Sequence, residues 1–174
     1  MIKSSNKIVA TLVGILLFSF FVYLIYPKVD NRIDEIIPKE YTITYTYGGG
    51  FGTVAQTVSK EAIIKSNGDV TIQVVNSNSA DPMKFTVDKD DVEELYKYLM
   101  KNNFKKMREK ITDDKVMDAG TEYIELKTPD FTRKIGGYAA STNNRFAKLE
   151  NKIKETIGKD KIDEYNKIIE NNLK

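Results

Sequence analysis

The sequence predicts an α+β fold, a mostly antiparallel β-sheet packed by helices on one face and preceded by a single transmembrane helix. Three observations carry this. Strand-like segments cluster before and after one helical segment instead of alternating with helices. Three segments repeat their apolar residues at helical spacing. An uncharged run from Ile8 to Tyr26, "IVATLVGILLFSFFVYLIY", lies close to the amino terminus of the 174 residues.

At about 1.5 Å per residue that run covers roughly 28 Å, close to the hydrocarbon thickness of a bilayer. Tyr23 and Tyr26 stand toward its outer end, where aromatic side chains suit the headgroup interface. A cleaved signal peptide is the competing reading. It needs a shorter apolar core and a small-x-small cleavage site, and "FFVYLIYPK" offers neither. Lys3 and Lys7 precede the run without acids, whereas Lys28 and Arg32 beyond it are mixed with Asp30, Asp34 and Glu35. The positive-inside bias therefore favours an inner amino terminus and an outer domain. The expected organisation is a cytoplasmic tail at 1–7, an anchor at 8–26, a polar linker at 27–40, an α+β domain at 41–158 and an amphipathic helix at 159–174.

"YTITYTY" opens the domain, with Tyr41, Ile43, Tyr45 and Tyr47 on one strand face and Thr42, Thr44 and Thr46 on the other. "GGGFG" interrupts it. Strands around Ala62–Lys65 and Val70–Val75 flank Asn67-Gly68, a pair suited to a two-residue hairpin turn with both positions at positive φ. Met83–Val87 reads as a further strand. Asp88 is placed to cap a helix whose Val92, Leu95, Tyr96 and Leu99 share one face; Phe104 and Met107 then close the core. "TEYIELKT" and "FTRKI" are strands joined across Pro129-Asp130, with Gly136-Gly137 expected to end the second. Ser141 is expected to cap a helix lined by Phe146, Leu149, Ile153 and Ile157, with Gly158 as its stop. A last helix, about Asp160–Asn171, carries Ile162, Tyr165, Ile168 and Ile169 on one side.

Composition removes several chemistries. The chain has no His and no Cys, which excludes a Ser-His-Asp enzyme, thiolate nucleophiles and the usual zinc sites. Lys3 and Lys7 account for the net charge of +2, so the rest of the chain is formally neutral and lacks the basic footprint of a nucleic-acid binder.

The candidate site is the turn at Gly49, Gly50, Phe51 and Gly52. "YGGGFGTV" matches the phosphate loop of protein kinases at Gly49, Phe51, Gly52 and Val54, and "AIIK" ends eleven residues later at Lys65. A kinase also needs an HRD base loop and a DFG metal ligand. There is no His, and Asp130-Phe131 is followed by Thr132. No nucleotide and no other cofactor is expected. Two readings stand: the glycines only relieve positive-φ strain in a turn between two strands, with Phe51 packed inward, or an exposed Gly-Phe-Gly tip reaches out to a partner. "DKDDVEE" (Asp88–Glu94) opens like a calcium loop but lacks its turn glycine, so capping explains it better. "DDKVMD" (Asp113–Asp118) is a loop able to hold a cation weakly. "KNNFKKMREK" (Lys101–Lys110) is locally cationic; near a bilayer it could touch anionic headgroups, and otherwise it is a solvated helix end with Phe104 and Met107 inward.

Taken in order, the Gly-Gly-Phe-x-Gly-type loop after a first strand, a glycine hairpin, a helix ending in "NNF", an Asp-Ala-Gly step before a Tyr-centred strand and the closing "NRFAKLENKI" resemble the emfourin-type small α+β domain. The residues that carry the likeness are Gly49, Gly50, Phe51, Gly52, Asp118, Gly120 and Tyr123, within Tyr41–Ile157. The resemblance implies inhibition of a thermolysin-type metallopeptidase, although the anchor and last helix depart from the simple inhibitor pattern. From the residues themselves the expectation is a non-enzymatic, extracytoplasmic binding module, tethered to the lipid bilayer through 8–26, for a protein or envelope component. A binding module predicts an exposed Gly-Phe-Gly tip. An enzyme predicts a pocket gathering Asp113, Asp114 and Asp118. A structural or signalling partner predicts an uncovered apolar patch along the anchor or last helix.

Overall fold

The computed structural model describes residues 37–75 and 80–172. The expected tail, anchor and most of the linker lie outside the described residues, and no described helix is long and apolar enough to cross a membrane.

Six strands form one antiparallel sheet: β1 (Thr42–Tyr47), β2 (Lys60–Lys65), β3 (Asp69–Val74), β4 (Met83–Thr86), β5 (Thr121–Lys127) and β6 (Thr132–Tyr138), in the order β4-β3-β2-β1-β5-β6. Register places the buried residues side by side on one face. Ile43 faces Ile64 and Leu126, Tyr45 faces Ala62 and Ile124, and Ile124 faces Ile135. A one-residue slip would turn this set to the opposite face, so the period-two pattern specifies the pairing. The threonines of β1 are only half-buried on that opposite face.

The helices pack on the apolar face. They are α1 (Val54–Thr57), α2 (Lys89–Lys101), α3 (Asn144–Ile157) and α4 (Lys159–Asn172). Asp88 caps α2 by accepting a hydrogen bond from the Asp90 amide at 2.9 Å. Val92, Leu95, Tyr96 and Leu99 from α2, Phe146, Leu149, Ile153 and Ile157 from α3, and Ile162, Tyr165 and Ile169 from α4 join the sheet's core. Phe104 and Met107 are buried as expected. The last helix shares this core with the domain that precedes it.

Local details differ from expectation in three places. The β2–β3 hairpin has a three-residue loop, Ser66–Gly68, in which only Gly68 takes a positive φ (+95°). Gly136 and Gly137 do not end β6. The strand runs on to Tyr138, because the extended segment 109–113 pairs along its outer edge: Gly136 donates to the Glu109 carbonyl and Ile111 donates back to Gly136, both at 2.9 Å. Only glycine fits there, since a Cβ on Gly136 (φ +136°) would stand 2.0 Å from the Glu122 carbonyl oxygen. The cap of α3 is Asn143, not Ser141. Asn143 Oδ1 accepts from the Arg145 and Phe146 amides at 3.0 and 3.2 Å. The Ser141 amide is instead held by the Glu122 carboxylate at 2.8 Å, which places Ser141 in a short 3₁₀ turn.

Candidate functional site

Because β1 and β5 are antiparallel neighbours, with Thr46 opposite Tyr123, the loop leaving β1 lies beside the loop entering β5. Gly48 makes the join. Its φ is +101°, its carbonyl accepts from the Thr121 amide at 3.0 Å, and a Cβ there would stand 2.3 Å from the Val58 carbonyl oxygen. Gly50 lies against the backbone of Ala119 and Gly120.

The first loop is held partly by its own residues and partly by the second loop. Gly50 N–H donates to the Gln56 carbonyl (3.2 Å), Phe51 N–H to the Asp118 carbonyl (3.5 Å) and Thr53 N–H to Gln56 Oε1 (2.8 Å). These amides, which a phosphate cradle would need to turn outward, donate within the protein. The second loop is pinned by Tyr138, whose hydroxyl donates to the Val116 carbonyl (3.0 Å) and accepts from the Ala119 amide (3.1 Å).

These two braced loops and the first residue of α1 carry the exposed large apolar side chains of the described residues: Phe51 at 80%, Val54 at 44% and Met117 at 85% exposure. Phe51 therefore points to solvent rather than into the core. Gly49 (φ +72°) and Gly52 (φ +142°) flank it in conformations that L side chains rarely adopt. What the site can offer is apolar contact on a backbone held in place. Val54 follows Phe51 in the same stretch, whereas Met117 carries no sequence signal of its own and joins it only through strand order.

Lys60 ties this end of the sheet to the helices. It is buried, and its Nζ donates to the Ala55 carbonyl of α1 and to Asn166 Oδ1 of α4, the latter at 3.0 Å. Burial lowers its pKa to about 8, against a smaller opposing pull from the Glu170 carboxylate.

The acidic candidates do other work. Asp88 is a cap, Asp113 accepts from the Lys115 amide at 3.1 Å, and Asp118 is a turn residue at φ +60°. Among the described residues no group of three or more acidic side chains could hold a metal ion.

No protein-family model matches this chain, and no curated protein is significantly similar to it. The emfourin likeness thus stands on its motif residues alone. Of these, Gly49–Gly52, Asp118 and Gly120 lie in the two adjoining loops, while Tyr123 is on β5 with its ring under Lys134 Nζ, 4.4 Å from the centroid.

Proposed function

We propose that this chain is a single-pass membrane protein, anchored through residues 8–26, whose extracytoplasmic domain binds a protein or envelope component through the Phe51–Val54–Met117 tip and carries out no catalysis. The observation that supports the binding role is the exposure of three apolar side chains on two loops and the start of α1, whose backbones are hydrogen-bonded in place. Ordered loops presenting apolar groups on a rigid scaffold are a common form of recognition surface. Preorganisation also removes part of the entropic cost of binding.

The test is proximity labelling in native membranes with the wild-type chain and the Phe51→Ala/Met117→Ala double variant. A defined set of neighbours labelled by the wild type and lost in the variant is the expected result. An unchanged set would overturn the role of the tip. Protease accessibility of the domain from the outer side of intact membranes checks the orientation. The alternative, emfourin-like inhibition of a thermolysin-type metallopeptidase, is supported by the Gly49–Gly52 motif. It predicts that the chain slows such a peptidase and that Phe51→Ala weakens the inhibition about tenfold, the equivalent of losing one well-packed contact.

A further inference from the structure

The cationic stretch after α2 folds into a feature that the tip does not use. Phe104 and Met107 turn into the core, so the residues between and after them are displayed outward. Lys106, Arg108 and Lys110, together with Arg145 at the start of α3, line an open groove of about 720 Å³. All four are exposed, and none takes part in the ion pairs found among the described residues. Arg145 Nη2 makes one long hydrogen bond, 3.4 Å, to the Asn102 carbonyl. The acidic side chain in the groove wall, Glu109, is engaged by Arg133 at 3.0 Å. Asp113 lies just beyond it, its carboxylate against the Lys115 amide and, at 3.5 Å, the Thr142 hydroxyl.

The floor is fixed. Segment 109–113 is paired to β6 through Gly136 N–H to Glu109 O (2.9 Å), Ile111 N–H to Gly136 O (2.9 Å) and Asp113 N–H to Tyr138 O (3.1 Å). A second groove, of about 490 Å³, continues over this segment onto the open sheet face, sharing Lys110 and adding Lys134. A line of positive charge thus crosses a backbone that does not have to reorganise to receive a ligand. Like charges gathered in a concavity repel one another and focus a field that attracts anions. The two guanidinium groups supply paired donors matched to phosphate oxygens, which lysines alone would not. The groove is much larger than one phosphate, and its charges come from a 3₁₀ turn (Lys106), the segment that follows it (Arg108 and Lys110) and the start of α3 (Arg145).

We propose that this groove binds a phosphate-bearing anion of more than one charge, presented either as a phospholipid headgroup or as a soluble oligophosphate. The site is separate from the tip, so it holds or fails independently of the function proposed above.

The test uses the full chain in neutral detergent, titrated calorimetrically with sodium tripolyphosphate and, separately, with a water-soluble short-chain phosphatidic acid, whose phosphomonoester carries a second negative charge. At least one should bind with Kd below about 1 mM at low salt. Affinity should fall about tenfold or more between about 50 and 200 mM salt. Arg108→Glu and Lys110→Glu should each weaken binding about tenfold, a loss of one charge-assisted contact or more. Lys97→Glu, which alters a charge on α2 outside the groove, and Phe51→Ala should leave it unchanged. Tighter binding of the lipid assigns a headgroup site; tighter binding of tripolyphosphate assigns a soluble anion. Arg108 and Lys110 are exposed, so thermal melts of their variants should match the wild type. Failure of both anions to bind, or binding that Arg108→Glu and Lys110→Glu do not weaken, would overturn the proposal.

Discussion

Lys60 occupies a β2 position whose neighbours on the same face, Ala62 and Ile64, are fully buried. An ammonium there is tolerated because its protons meet the Ala55 carbonyl and the Asn166 side chain. The folded pKa of about 8 lies below the ordinary 10.5. Below pH 8 both folded and unfolded chains hold the proton, and the burial penalty is fully present. Between about 8 and 10.5 the unfolded chain keeps a proton that the folded chain has released, so stability should rise with pH across that window. Urea midpoints of the detergent-solubilised chain at pH 8 to 10 (about two units inside this window) check the slope, and Lys60→Met should flatten it. A wild-type slope equal to that of the variant would mean that Lys60 is not the group responsible.

At the scale of elements, turns and caps were read by residue type, and type alone was not enough. Ser141 and Asn143 are both good caps in isolation. Asn143 takes the role because Glu122, on the neighbouring strand, captures the Ser141 amide and winds that residue into the preceding turn. Asn143→Ala should therefore cost about 1 kcal/mol of stability, while Ser141→Ala should cost less than about 0.5 kcal/mol. Thermal melts of the two variants distinguish these outcomes. The paired glycines of β6 pose the same problem. A Gly-Gly pair ordinarily breaks a strand, but here it admits the backbone of segment 109–113 on one side and the Glu122 carbonyl on the other. The six strands and the three longer helices were legible, because Tyr41–Tyr47 alternates strictly and Val92–Leu99 and Phe146–Ile157 keep the helical repeat; the single turn α1, Val54–Thr57, was not expected.

For the molecule as a whole, the question is whether the last helix is an appendage. Tyr165 and Ile169 are fully buried in the same cluster as Tyr45 and Ile43 of the central strand, and Asn166 holds Lys60. Ile169→Ala should then cost about 3 kcal/mol, from lost burial and the cavity left behind. It should lower the single melting transition of the sheet as well as that of the helices, followed by circular dichroism at wavelengths sensitive to each. A helix melting ahead of an unchanged sheet would show that α4 folds separately.

The candidate site divides along the same line. Gly49–Gly52 was visible as a turn, because glycine and aromatic residues interrupting an alternating strand have a local conformational meaning. Its partner was not visible. Met117 stands in a charged loop far along the chain and meets the Phe51 loop only because β1 pairs with β5 and Tyr138 pins the second loop. The cationic stretch was likewise visible as charge, but not as a groove, which required the edge of β6 and the start of α3 to enclose it. By itself the sequence determined the α+β class, the core faces and the chemistries that a chain without His or Cys lacks, since periodicity and composition are local properties. Strand order, the choice between competing caps and the neighbours of each loop were decided by tertiary structure, because each depends on contacts between residues that no short stretch of sequence holds together.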